Sequence, residues 1–123
     1  MKISTTGSAA MRIKRVVRIQ DGPVVPMAYS LSGRQFRVEW IQVEYKWDGD
    51  RWAVDSSFGV DLGGYVLKKD GEPSKNWHVS NPDWDYKTKT FVERYEFVQK
   101  VVDLLRPDGE LVMSVFLEHE VDA

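Results

Sequence analysis

The stretch Phe36-Arg37-Val38-Glu39-Trp40-Ile41-Gln42-Val43-Glu44-Tyr45-Lys46-Trp47-Asp48-Gly49-Asp50-Arg51-Trp52 decides how this chain folds. Apolar side chains occupy even positions first (Phe36, Val38, Trp40) and odd positions afterwards (Ile41, Val43, Tyr45, Trp47). Alternation at period two marks a strand with one buried face, and aromatic and β-branched residues suit a pleated surface. The change of parity between Trp40 and Ile41 predicts a β-bulge, which inserts one residue and bends the strand. Burial of both faces is the alternative. Asp48-Gly49 then signals a hairpin. If these two residues form the whole loop, Tyr45 opposes Trp52, Val43 opposes Val54 and Lys46 faces Arg51. A four-residue loop instead sets Trp47 against Trp52 with the same faces inward. A plain three-residue connection would turn every side chain of the second strand over and is rejected.

Working outward, Met11 to Gln20 alternates as well. Met11, Ile13, Val17 and Ile19 share one parity, and Arg12, Lys14 and Arg18 the other, which reads as a half-buried strand. Asp21-Gly22-Pro23 ends it as a turn, and Pro23 with Pro26 makes the next stretch extended but unsuited to a sheet centre. On the other side, the strand from Arg51 resumes through Phe58, Val60 and Leu62 until Gly63-Gly64 breaks it. Tyr65-Val66-Leu67 forms a short third strand, followed by a charged turn from Lys68 to Pro73. Residues 71–90 read as loop, with Asn81 and Pro82 opening one helical turn. Phe91, Tyr95, Val98, Val102 and Leu105 then form one helical stripe. Thr90 and Glu93 supply a capping box, and Pro107-Asp108-Gly109 stops the helix. Leu111, Met113, Val115 and Leu117 alternate as a last strand.

The expected fold is α+β, a bent antiparallel sheet of about five strands packed by one long helix over about 90–106. Residues 1–10, small and polar, read as a disordered lead-in, and 11–123 as a single domain.

Composition narrows the function. The 123 residues are 42% hydrophobic and 29% charged, an ordinary globular balance. The absence of Cys excludes a disulfide scaffold, a thiolate zinc site and a Cys nucleophile. No apolar run nears the ~18 residues a membrane span needs, and Met1 to Ala10 lacks the apolar core of a secretory leader. The expectation is a soluble, cytoplasmic protein. Residues 1–47 hold eight bases and three acids, and 48–123 hold nine bases and sixteen acids. That polarity fits two segments that lie side by side and neutralise one another, or a basic face for nucleic acid.

No GxSxG, phosphate-binding Gly-rich loop or HExxH is present. Asp48, Asp50, Asp55 and Asp61 straddle the expected hairpin and so do not make a calcium loop. His78 and His119 are isolated, and neither is expected to hold a metal. No catalytic residue, cofactor or metal is assigned, and the chain is read as no enzyme. The aromatics are the remaining signal. Tyr45, Trp52, Phe91 and Tyr95 belong to buried faces by their spacing, whereas Trp47 adjoins a hairpin tip and Trp77 and Trp84 sit where no periodicity buries them.

The strings Trp47-Asp48-Gly49-Asp50-Arg51-Trp52, Leu67-Lys68-Lys69-Asp70-Gly71-Glu72-Pro73-Ser74 and Pro82-Asp83-Trp84 resemble small accessory proteins of actinobacterial phages and prophages, over about residues 36–106. The resemblance implies a compact accessory protein acting on a host protein, and no catalytic residue. The leading expectation is a non-enzymatic protein-interaction module whose partner-binding residues are Trp47, Asp50, Trp77, Trp84 and Tyr86. The alternatives are nucleic-acid binding through Arg12, Lys14, Arg15 and Arg18, and carbohydrate binding on Trp platforms. No membrane partner is expected; pairing of subunits into a homo-oligomer is left open.

Overall fold

A computed structural model describes residues 12–27, 30–54 and 56–107. The expected lead-in 1–10 and last strand 111–117 lie outside these residues. The deciding stretch becomes β3 (Gln35–Arg37) and β4 (Trp40–Trp47). Both run antiparallel to β6 (Val60–Leu67), with Phe36 opposite Val66 and Trp40 opposite Gly63. Four steps on one strand therefore meet three on the other, which is the expected bulge. The extra residue falls at Val38-Glu39, slightly before the Trp40–Ile41 parity change. Phe36 and Val38 stay fully buried with Ile41, Val43 and Tyr45, while Trp40 is turned to the other face.

The flanks follow. β1 (Arg12–Arg18) pairs with β4 and β2 (Val24–Pro26) with β3, so together they line one side of the bent course. β6 lines the other side, and β7 (Pro73–Ser80) lies outside β6. The short β5 (Trp52–Ala53) closes the hairpin with Trp47 opposite Trp52, so the loop has four residues. Asp48 holds that loop. Its N–H donates to the Arg51 carbonyl at 3.1 Å, and its Oδ1 accepts from the N–H groups of Asp50 and Arg51 at 2.9 and 2.8 Å. These hydrogen bonds stabilise the ionised form and lower the Asp48 pKa.

Four expectations are corrected. Gly63-Gly64 does not break the strand; β6 runs through both. A Cβ on Gly64 would sit 1.8 Å from the Arg37 carbonyl oxygen, so glycine is what admits the bulged backbone of β3. Phe58, expected in a strand, stands 78% exposed in a 3-10 turn at Ser57–Gly59. Residues 71–90 are not mainly loop, since β7 occupies much of them. Asn81 opens no helical turn either; its Nδ2 donates to the Val60 carbonyl at 2.7 Å and ties the end of β7 back to β6.

The helix is also shorter than the expected 90–106. α1 spans Glu96–Leu105 after a 3-10 turn at Glu93–Tyr95, and Thr90 belongs to a two-residue strand, β9 (Thr90–Phe91), paired with β8 (Trp84–Asp85). The Thr90–Glu93 capping box does not form. Phe91 packs edge-on against Trp84 at 4.9 Å, and this contact holds Thr90 extended, where it cannot cap. The stripe itself is kept, with Phe91, Tyr95, Val98, Val102 and Leu105 all buried in the core of the sheet. The result is α+β and dominated by antiparallel sheet, with nine strand segments among the described residues in place of about five strands.

The helix end is clamped to the sheet. The last four carbonyls of an α-helix have no partner within it. Here the buried Tyr45 hydroxyl donates to the Val102 carbonyl at 2.6 Å, and Arg15 donates to the Leu105 carbonyl at 2.6 Å. Arg106 closes the same corner by donating to the Trp52 carbonyl at 2.6 Å and lying 5.9 Å over the Tyr45 ring. Burial raises the Tyr45 pKa far above its ordinary value, so the phenol stays a donor. Tyr45→Phe strands a buried carbonyl and is expected to cost about 1–3 kcal/mol, read as a lower urea midpoint with unchanged m-value.

Candidate interaction surface

The five expected partner-binding residues do not form one patch. Trp47 is half-buried and leans on Trp52 at 5.4 Å between ring centroids, while Asp50 is exposed in the hairpin turn. Trp84 is half-buried against Phe91, beside Arg51 and Val54. Tyr86 is exposed in the turn between β8 and β9. Trp77 stands elsewhere, on the sheet face turned away from α1, and is 48% exposed.

What surrounds Trp77 is set by strand register. Side chains alternate across a strand, so Trp40 on β4, Gly63 and Tyr65 on β6, and Trp77 and Val79 on β7 share this face. Gly63 lies opposite both Trp40 and Val79, and Tyr65 lies opposite Trp77. A Cβ on Gly63 would meet Trp40 at 2.7 Å and Trp77 at 2.8 Å; its absence lets both indoles close over the β6 backbone. Tyr65 and Trp77 pack edge to face, with centroids 4.9 Å apart and planes at 81°. Tyr65 and Val79 are themselves 38% and 47% exposed, so three neighbouring apolar side chains face water.

These rings wall a groove of about 770 Å³. Arg18 and Arg37 bring positive charge to it and Asp21 and Glu39 negative charge, so its formal charge balances. Arg37 is held by donating to the Gly22 carbonyl at 2.9 Å. Outside it, β7 pairs only with β6, so its far edge has no strand partner among the described residues. Trp40 and Tyr65 were not among the expected site residues. The parity change at Trp40 was the available signal, because it moves that indole off the core face.

The basic strand does not present one open row. Arg12 lies 3.7 Å from Glu44, Lys14 is opposite Glu44 in the ladder, and Arg18 borders the aromatic groove. Arg15 points to the end of α1, with its Nε buried and unbonded among the described residues. Arg12, Lys14 and Arg18 each have further partners.

Among the described residues no three His, Asp or Glu side chains gather as metal ligands, and no helix is long and apolar enough to cross a membrane. Asp61 accepts from Asn81 Nδ2 at 3.0 Å, and burial raises its carboxyl pKa. His78, on the opposite face of β7 from Trp77, lies edge-on to Phe36 at 5.1 Å with Nε2 buried and unbonded among the described residues. Desolvation lowers its pKa, since the charged ring would lose water without gaining a partner. No protein-family model matches the chain, and neither does any curated protein or solved structure.

Two outcomes follow from this geometry. Gly63→Ala should push Trp40 and Trp77 apart, lowering stability and shifting tryptophan fluorescence toward that of water-exposed indole. For His78, the folded pKa lies below the unfolded one, so the unfolded chain binds more protons between them. Its contribution is therefore present above the unfolded pKa and lost as pH falls through 6.5 toward the folded value. The melting temperature of His78→Phe should fall less than that of the wild type between about pH 7 and pH 5.

Proposed function

We propose that this chain is a non-enzymatic module that binds a protein partner through the face formed by Trp40, Tyr65, Trp77 and Val79. The observation that carries this reading is the exposed Tyr65–Trp77 pair, packed across β6 and β7, with the outer edge of β7 lacking a strand partner among the described residues. Rigid aromatic side chains contribute large contact area at low entropic cost and dominate the centres of protein interfaces. An open strand edge offers backbone hydrogen bonds to an extended segment, with side chains on alternate positions reaching the adjoining face. The balanced charge of the groove favours a partner of mixed charge over a polyanion at this surface. The turn strings that resemble phage accessory proteins point to a host protein as the partner.

Trp84 and Tyr86 are assigned no part in this face, and Trp47 is a packing residue of the hairpin. Trp77→Ala and Tyr65→Ala should fold, since both side chains are substantially exposed, and each should weaken partner capture by about tenfold or more. The exposed Phe58→Ala serves as the control that should change nothing. Capture from nuclease-treated host lysate, quantified by mass spectrometry, should find a protein lost with the first two variants and kept with the third. Equal capture by all three, or salt-insensitive retention on oligosaccharides in place of protein, overturns the reading.

A further inference from the structure

A second groove, of about 600 Å³, lies on the other side of the β6–β7 hairpin between the turn before β3 and the hairpin end. Arg34, Lys68 and Lys69 line it, with Ser32, Ser74 and Asn76 among the neutral polar groups, and no acid does. The chain as a whole is net acidic, at −2, yet this concavity gathers three positive charges. None of the three lies within ion-pair distance of a carboxylate among the described residues. Like charges brought together without counter-charges repel, and a ligand of opposite sign relieves that repulsion.

The turns carrying these cations are fixed by their own hydrogen bonds. In the hairpin, the Lys68 N–H donates to the Glu72 carbonyl at 2.8 Å, and the Gly71 N–H to the Lys68 carbonyl at 2.9 Å. The nearest acid in sequence, Asp70, has its Oδ1 engaged by the Glu72 N–H at 2.9 Å. On the facing turn, the Arg34 N–H donates to Ser30 Oγ at 3.2 Å and the Arg34 carbonyl accepts from the Met27 N–H at 2.9 Å. The cations thus project from two braced backbones on either side of the groove. We infer that this groove binds phosphate groups, either those of a small polyphosphate or those along a single nucleic-acid strand. Arg34 suits bidentate contact with phosphate oxygens, and the two lysines add point charges. The site differs from the basic strand β1, and it does not depend on the aromatic face.

Two probes separate the sources in the full chain at low salt: inorganic tripolyphosphate by calorimetry, and a short oligothymidylate by fluorescence anisotropy. Binding of tripolyphosphate alone assigns a small-molecule site, and binding of the oligonucleotide assigns a strand. With three phosphate contacts, the oligonucleotide affinity should fall about 16-fold between about 50 and 200 mM salt, a log–log slope of roughly −2. The double variant Lys68→Ala/Lys69→Ala should reduce that slope to about −0.7, and Arg34→Ala should weaken binding as well. Lys100→Ala, on the exposed face of α1 where Lys100 pairs with Glu96, should leave binding unchanged. Failure of both probes to bind overturns the inference. So does equal binding by wild type and the groove variants, or an equal loss with Lys100→Ala.

Discussion

The Tyr45 hydroxyl, donating to the Val102 carbonyl at 2.6 Å from within the core, is the contact on which the arrangement of layers rests. It joins the C-terminal half of β4 to the last turn of the only α-helix among the described residues. A sheet and a helix with one apolar face each can slide over one another at little cost, because apolar burial has no direction. A buried hydrogen bond to a specific carbonyl has direction. With Arg15 on the Leu105 carbonyl and Arg106 on the Trp52 carbonyl, three donors, from β4, β1 and the residue after α1, set the position of the helix end. The Tyr45 and Arg15 bonds also satisfy carbonyls that a helix terminus leaves without partners, so orientation and satisfaction are achieved together.

That clamp frees the opposite face of the sheet. Because α1 covers only one side, the other keeps exposed side chains, and the bulge at Val38-Glu39 decides which they are. A single extra residue sends Trp40 away from the core while Phe36 and Val38 remain inside. Gly63 then allows Trp40 and Trp77 to meet across the backbone of β6. The candidate interaction face is therefore a consequence of a fold-level bend, and the two grooves lie on opposite sides of the β6–β7 hairpin.

Much of this was legible in the chain. Period-two alternation located β1 and β4, the parity change announced a bulge, and a four-residue hairpin loop was one of the two registers that kept Trp52 inside. The helical stripe from Phe91 to Leu105 picked out the residues that are buried. Periodicity assigned neither Trp77 nor Trp84 to a buried face, and the structure leaves Trp77 48% exposed and Trp84 half-buried. Other readings failed for physical reasons. Gly63-Gly64 looked like an interruption because glycine weakens strands locally, but here each glycine makes room for a neighbouring strand or ring. Thr90 and Glu93 matched a capping box, yet Thr90 pairs with Asp85 in the β8–β9 ladder, where Phe91 packs on Trp84. β7 was read as loop because Pro73, Asn76 and Asn81 suggest turns, whereas an edge strand tolerates such residues.

By itself, then, the order of residues determined the buried faces of β1 and β4, the hairpin that follows β4 and the buried stripe from Phe91 to Leu105. These follow from local periodicity, which has a physical period of about 2 or 3.6 residues and can be read along one chain. Only the tertiary structure decided that Arg15 serves a helix end, that Trp40 joins Trp77, and that Arg34 faces Lys68 and Lys69 across a groove. Each of these pairings joins residues far apart in the chain. Their meeting depends on the summed register of several strands, and no local pattern encodes that sum.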